Sequence, residues 1–165
     1  MIETPRPGPR PQVSTEGPQR QTSDSSPPEI WGRLVAEVFE LNGVVEAHSQ
    51  VSSASTRAVF LLDQPNERTP ETSLAPGRRL EPVHLHGVDD TSLHLCLPKS
   101  RGQSLVDLGW AEPHQFGDFG TEFLVYGPRS HEEVVVVLTI VKESIEFARG
   151  LSHGARRNIR RDRDS

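Results

Sequence analysis

Three histidines in two neighbouring segments are the residues of this 165-residue sequence best suited to chemistry. His84 and His86 lie in the run VHLH, and His94 lies in the run SLHLCL. Imidazole titrates at about pH 6.5, so a histidine can act as a general base at physiological pH. Neutral imidazoles in a group of three, with a carboxylate, can also bind a transition metal. The residue types therefore indicate proton transfer or metal binding.

The two segments predict a β-hairpin that brings the histidines together. Apolar and polar side chains alternate in each segment, so each strand has a leucine/valine face and a polar face. With residues 87–91 as the turn, Asp89 and Asp90 lie at the hairpin tip. The expected pairs are His86 with Ser92, Leu85 with Leu93, His84 with His94, and Val83 with Leu95.

The alternation alone leaves other interpretations open. Histidines on alternating strands often lie on a solvated sheet face, with no ligand at all. A metal would need a fourth ligand, which the spacing does not supply. Cys96 alternates onto the histidine face, so a Cys/His nucleophile pair is a further alternative, although a lone strand cysteine is usually half-buried and inert.

Further candidates for a site follow the hairpin. The run GWAEPH places Trp110, Glu112 and His114 within six residues. Trp110 suits a core, whereas Glu112 and His114 suit either a site or the surface. Tyr126 and Arg129 lie where a strand gives way to the last helix. Arg129 could hold an anionic ligand there or pair with the acidic surface.

These residues need a scaffold, and the pattern predicts an α+β one. Apolar residues at helical spacing after the capping box of Ser26 and Glu29 predict the first helix, and a second capping box, Ser130 with Glu133, opens the last. The polar run 64–79 suits a loop that adds little to the core. We expect helices at 27–41, 98–108 and 130–149, and strands at 44–51, 57–62, 82–86, 92–97 and 121–126. The order α-β-β-β-β-α-β-α suits a single small domain, a mostly antiparallel sheet with helices on one face.

Composition separates this domain from two predicted tails. Residues 1–28 are rich in proline and poor in core-forming residues, so we expect a disordered N-terminal tail. Residues 149–165 hold six arginines against two aspartates and predict a basic, flexible tail. The intervening 29–148 has a net charge of −9 from nine basic and 18 acidic residues. An acidic domain repels phosphate backbones, so nucleic acid is an unlikely partner outside the arginine-rich tail.

The remaining features predict a cytoplasmic protein. The single cysteine excludes an internal disulfide and fits a reducing compartment. No apolar run reaches the ~18 residues of a membrane span, and the polar start does not resemble a secretory signal. Three familiar motifs are absent: the glycine-rich phosphate loop, the Gly-x-Ser-x-Gly nucleophile elbow and the His-Glu-x-x-His zinc motif.

Three runs in order resemble the luciferase-domain family, which includes the fungal luciferases: PVHLHG through DDTSLHL, then GWAEPH, then VYGPR. The resemblance covers roughly residues 80–148. The resemblance to the fungal enzymes implies an oxygenase that adds O₂ to an enolic pyrone, 3-hydroxyhispidin, without an organic cofactor. The fungal luciferases carry an N-terminal membrane anchor, whereas this chain begins with a polar, proline-rich segment, so we expect no membrane association.

A mechanism consistent with these residues gives a hypothesis for the role of each candidate. His84, His86, His94 or His114 would remove a proton from an enolic or aromatic small molecule. Asp90, Trp110, Glu112, Tyr126 and Arg129 would bind that ligand, and Phe116 would help to exclude water. No cofactor is expected, with a divalent metal on the histidines as the alternative.

A non-catalytic module that binds a small ligand or a protein is the second alternative. A flat, exposed histidine face would favour that module. A concave pocket holding at least two of the four histidines beside Trp110 or Tyr126 would favour the enzyme.

Overall fold

The structure is a computed structural model that describes residues 2–63, 70–115, 117 and 119–151. Within these ranges the chain forms three α-helices, one short 3₁₀ helix (Pro70–Thr72) and six strands. The helices are α1 (Pro28–Phe39), α2 (Lys99–Asp107) and α3 (His131–Ala148). The strands are β1 (Val44–His48), β2 (Arg57–Leu61), β3 (Val83–Gly87), β4 (Asp90–Cys96), β5 (Ala111–Pro113) and β6 (Glu122–Tyr126). The predicted α+β class and element order are confirmed, with the short β5 as an addition.

The six strands form one antiparallel sheet in the order β1-β2-β3-β4-β6-β5. In the central hairpin the predicted pairs Val83–Leu95, His84–His94 and Leu85–Leu93 are confirmed. The register then shifts, because Gly87 pairs with Asp90 and the turn shrinks to two residues. This bulge leaves an extra residue on β4, where the sequence predicts a simple five-residue connection.

One face of the sheet carries the hydrophobic core. The alternating leucines and valines of the central strands pack against the apolar sides of α1 and α3, and all of these residues are buried. Burying one such side chain completely contributes about 1.5–3 kcal/mol. Because this face uses every second residue of each strand, the histidines of β3 and β4 lie on the opposite face, away from α1 and α3.

The two predicted capping boxes have different outcomes. The Ser130 side chain accepts a hydrogen bond from the Glu133 backbone N–H at the start of α3, as predicted. The Ser26 box is wrong: α1 begins at Pro28 after Pro27, and no side chain caps it. The Ser26 backbone N–H instead donates to Thr91 Oγ1 at 2.7 Å, because this part of the chain lies along β4.

Residues 2–27, which the composition predicts to be a disordered tail, pack along the domain; we call them the strap. Ile2 packs against the hydrophobic core and its carbonyl accepts from Arg101 of α2, and residues 17–21 lie over the second face of the sheet. Val13 and Gln21 form a β-bridge within the strap. The side chains of Arg6, Gln19 and Gln21 are buried in contact with the domain. Polar hydrogen bonds therefore hold the strap on the domain. The hydrophobic content of the sequence does not predict these bonds.

The predicted loop 64–79 also contributes more than its polarity suggests. Four of its residues are buried: Thr72, Ser73, Leu74 and Ala75. Leu74 also helps to cover the second face of the sheet. Residues 64–69 and the predicted basic tail from 152 onward lie outside the described residues, as does Phe116. Among the described helices, none combines the length and apolarity needed to cross a lipid bilayer.

Candidate functional site

The second face of the sheet brings four histidines together. His84 and His94 are cross-strand partners on the adjacent central strands β3 and β4. His86 is two residues along β3, and its ring centre lies 4.5 Å from that of His94. His114 follows β5, and its ring centre lies 4.4 Å from that of His94. All four predicted catalytic histidines therefore form one group, which we call the histidine cluster.

A buried carboxylate orients His84. Glu81 Oε1 lies 3.0 Å from His84 Nδ1, and Glu81 is completely buried. The Ser49 hydroxyl and the Gln50 backbone N–H donate to the same carboxylate at 2.6 and 2.9 Å. Burial opposes ionisation of Glu81, but these hydrogen bonds outweigh it and hold its pKa below the usual value. The ionised carboxylate accepts the His84 Nδ1 proton and leaves the Nε2 lone pair free.

His86 has the same kind of partner. Its Nδ1 lies 2.9 Å from Asp90 Oδ2 and 2.9 Å from the Ser92 hydroxyl. Asp90 is buried and also accepts from Ser92 Oγ and from the Gln21 backbone N–H. Burial raises the pKa of Asp90, but the hydrogen bonds from His86, Ser92 and Gln21 bring it below the ordinary value. Asp90, predicted to bind substrate, thus orients a histidine and fixes the strap.

His94 lies at the centre of the cluster. Its Nδ1 is 3.2 Å from His84 Nε2. Its Nε2 is buried and has no hydrogen-bond partner among the described residues. With the Nε2 lone pair of His84 as acceptor, the Nδ1 of His94 carries a proton and its Nε2 carries the lone pair. Glu81, His84 and His94 then form a chain that ends in an unsatisfied acceptor.

Burial shifts three of the four imidazoles of the cluster, His84, His94 and His114, towards the neutral form. Burial lowers the pKa of His84, and the neighbouring His86 lowers it further against the opposing effect of Glu81. Burial lowers the pKa of His94 well below the usual value, and the other three imidazoles of the cluster add to this shift. Burial also lowers the pKa of His114. Neutral imidazoles with free lone pairs can accept a proton or bind a metal.

A cavity of about 940 Å³ lies over the histidine cluster. All four histidines line it, together with Asp90. Its other walls come from the strap at 17–20, the serine-rich loop 51–56, the segment 74–76, the hairpin tip 87–89 and Glu122. The histidine face is therefore concave and covered, not flat and solvated.

Two predicted ligand-binding aromatics lie away from this cavity, under the strap. Trp110 and Tyr126 are buried, and neither is among the lining residues. The guanidinium of Arg6 lies 5.7 Å from the ring centre of Trp110 and 5.4 Å from that of Tyr126. The Trp110 indole N–H donates to the carbonyl of Thr4 at 2.9 Å. Both rings bind the strap.

The remaining two predicted ligand-binding residues also contact the strap. Glu112 accepts a hydrogen bond from the Tyr126 hydroxyl at 2.8 Å and one from the Gln19 amide at 3.2 Å. Arg129 pairs with Glu133 at 2.7 Å and donates to the carbonyl of Pro7. The structure thus brings the four histidines and Asp90 together, and it collects Trp110, Glu112, Tyr126 and Arg129 at a second, strap-binding area.

Cys96 is not arranged as a nucleophile. It is buried on β4, and burial raises the pKa of its thiol well above the usual value, as do the nearby carboxylates of Glu122 and Glu81. The thiolate is the reactive form, so a raised pKa makes the thiol inert.

Sequence reasoning missed Glu81 and the groups that hold it. Glu81 lies three residues before His84, a spacing that does not place two side chains on the same face of a strand. It precedes β3, and the Ser49 hydroxyl and the Gln50 backbone N–H hold its carboxylate beside His84 Nδ1. The signal was a carboxylate directly before the PVHLHG run, between the predicted loop 64–79 and the predicted strand 82–86.

Two comparisons with known proteins give the same family. Residues 79–144 match the family model described as the luciferase domain. A luciferase from Armillaria gallica is 30% identical over 162 residues, covering 87% of this chain and 60% of the relative. A luciferase from Neonothopanus nambi is 29% identical over 147 residues, covering 82% of this chain and 52% of the relative. The chain thus spans 60% or less of the length of these relatives. No solved structure matches the chain significantly.

Proposed function

We propose that this chain, which belongs to the luciferase-domain family, is an oxygenase that acts on an enolic or aromatic small molecule bound over the histidine cluster. The observation that carries the proposal is the coincidence of four imidazoles with one cavity of about 940 Å³. Cavities that bind small molecules typically have about 300–1,000 Å³. The activity of the longer fungal relatives motivates the oxygenase assignment.

The reaction needs a proton acceptor and a site that stabilises an electron-rich anion. His94 Nε2 is buried and has no hydrogen-bond partner among the described residues. In the metal-free cluster its lone pair would take the proton of an acidic enol once substrate displaces the side chains that cover it, and the Glu81–His84 pair behind it would stabilise the resulting imidazolium. Burial keeps the pKa of His94 low, so the imidazole is neutral before substrate binds. A general base placed in this way contributes a rate factor of about 10²–10⁴.

The oxidation then balances without an organic cofactor. The enolate passes one electron to O₂, giving a carbon-centred radical and superoxide. Their combination forms the C–O bond, and the proton held by the imidazole returns to the distal oxygen. One substrate and one O₂ therefore give one hydroperoxide, and no external reductant is consumed.

Oxygen uptake in the presence of a panel of enolic and phenolic compounds tests the proposal. We expect at least one compound to support the uptake of one O₂ per substrate consumed. His94→Gln should lower kcat by about 10²–10⁴ because the base is removed. His48→Gln is the matched control, since His48 is exposed on β1, outside the cavity.

Equal loss in the His48 and His94 variants would count against a base in the cluster. A compound that binds over the cluster in a spectroscopic titration, without oxygen uptake, would replace the oxygenase with the second candidate, a binding module. The concave face meets one part of the criterion for an enzyme, whereas Trp110 and Tyr126 do not line the cavity, so turnover is the observation that separates the two candidates.

A further inference from the structure

We propose that His84, His86 and His94 form a binding site for one divalent transition-metal ion, with one imidazole nitrogen from each as ligand. Each of the three offers a ring nitrogen, and these three atoms lie within 4.8 Å of one another. Imidazole ligands suit zinc, iron, cobalt, nickel and copper, and three protein ligands with an open position are typical of catalytic sites.

The distance between two of the nitrogens fits a shared ion. His84 Nε2 and His94 Nδ1 are 3.2 Å apart. Two nitrogens bound tetrahedrally to one ion at 2.0–2.1 Å are separated by about 3.3 Å. A hydrogen bond between the two rings has a similar length, so this distance is compatible with a metal but does not require one. The hydrogen-bond partners of His84 and His86 favour the metal.

Those partners are the carboxylates that usually lie behind metal-binding histidines. Glu81 lies 3.0 Å from His84 Nδ1, and Asp90 lies 2.9 Å from His86 Nδ1. A metal-binding histidine almost always gives its second N–H to a carboxylate, a carbonyl or water, which fixes the tautomer. Here two different carboxylates accept an Nδ1 proton: Glu81, which precedes β3, accepts from His84, and Asp90 of β4 accepts from His86. Each of these histidines then has its lone pair on Nε2, the nitrogen that would bind the ion.

Charge balance points the same way. Glu81 is completely buried and Asp90 nearly so, yet no lysine or arginine of the described residues hydrogen-bonds to either carboxylate. Buried charges are paired or lie close to metals, because an isolated one costs several kcal/mol or more. A divalent cation bound by His84, His86 and His94 would balance both carboxylates.

The unsatisfied nitrogen of His94 fits this arrangement. With the ion on Nδ1, the proton moves to Nε2, the buried atom that has no partner among the described residues. That N–H can then donate to an anionic ligand in the cavity. The ion's remaining position faces the same cavity, because all three ligands line it.

The role of the ion rests on the proposed function. A hydroxide at the open position, in place of the bare imidazole, would accept the enol proton and become water, and the enolate oxygen would then replace that water on the ion. Metal binding brings the pKa of bound water to about 7, so hydroxide is available at neutral pH. The balance of one substrate and one O₂ per hydroperoxide is unchanged.

Metal binding to the full chain tests the site without relying on turnover. The protein is stripped with a chelator and titrated separately with Zn²⁺, Co²⁺ and Fe²⁺, and bound metal is counted by elemental analysis after desalting. We expect one equivalent of at least one ion and a Co²⁺ visible spectrum typical of nitrogen ligation. His94→Ala and His84→Ala should abolish it, and the exposed control His48→Ala should keep it.

Glu81→Gln keeps the proposal testable if a histidine variant does not fold. Glutamine retains an oxygen that accepts the His84 N–H but removes the charge, so metal affinity should fall about 10–100-fold with an unchanged circular dichroism spectrum. No stoichiometric ion, or equal loss in His48→Ala, would overturn the metal site. Oxygen uptake by metal-free protein would then leave the proposed function standing. Metal binding without oxygen uptake in any compound would instead keep the site and reject that function.

Discussion

Replacing Arg6 with alanine should release the strap from the sheet. The Arg6 guanidinium is buried between the rings of Trp110 and Tyr126, pairs with Glu133 at 3.1 Å and donates to the carbonyl of Gly127 at 2.8 Å. Removing one partner of a buried ion pair costs about 3–5 kcal/mol, because the other charge stays buried. The substitution also leaves the Gly127 carbonyl without this donor.

The expected loss lies at the lower end of that range. Arg129 donates to the same Glu133 carboxylate at 2.7 Å, so the charge left behind keeps one cation. We therefore expect Arg6→Ala to lower the free energy of unfolding by about 3 kcal/mol. Arg33→Ala is the matched control, since its pair with Glu37 is about one-third exposed on both sides and contributes about 0–1 kcal/mol.

Urea unfolding measures the global loss, and trypsin measures release of the strap. Proline follows Arg6 and Arg10, so trypsin cuts poorly there, whereas Arg20 precedes Gln21 and gives a cleavable bond. Gln21 is buried, and its backbone N–H donates to Asp90, so cleavage after Arg20 requires the strap to detach. A loss below about 1 kcal/mol, with trypsin cutting Arg6→Ala no faster than the unsubstituted protein, would refute this account of the strap.

Two further predictions concern the sheet and its helices. Burial, followed by the hydrogen bond to Glu112, raises the pKa of Tyr126 to about 12. Stability supplied by the protonated phenol is present below pH 10 and should be lost as pH rises through about 12, by up to ~2.7 kcal/mol. The chain has one tyrosine, so alkaline absorbance titration reports it directly, and a midpoint near that of free tyrosine would contradict the prediction. Gly102→Ala should destabilise by about 1–3 kcal/mol because the new Cβ would lie 2.0 Å from Phe123 Cζ, whereas Gly32→Ala, with nothing within 4 Å, should be neutral or stabilising in the same thermal unfolding assay.

The hairpin could be predicted because two signals agree there. Alternation assigns each side chain to a face, and burying the leucines together leaves one register in which His84 lies opposite His94. That register is present. The bulge near the tip could not be predicted in the same way, since alternation does not contain the contacts of Asp90 beside it with His86, Ser92 and the strap.

The roles of the other candidates depend on contacts that no local pattern contains. Trp110 and Tyr126 have the residue types of a binding pocket, but their partner is Arg6, more than 100 residues earlier in the chain. Glu81 is the opposite case: its spacing from His84 does not predict a contact, yet the two side chains contact each other directly. Propensity and periodicity describe neighbours along the chain, and these contacts join distant segments.

The proline-rich composition of the strap explains both the prediction of disorder and the position of the site. A segment that covers a polar sheet face must satisfy its own backbone donors, and proline has none. Its glutamine and arginine side chains supply the remaining bonds, with Gln19 on Glu112 and the side chain of Gln21 accepting from the Gly127 N–H. This cover is an irregular segment that folds back on itself at the Val13–Gln21 bridge and is not a helix, and a cavity lies between it and the central strands. The histidines of β3 and β4 occupy the floor of that cavity, so the element that sequence composition assigns to disorder is the one that encloses the candidate site.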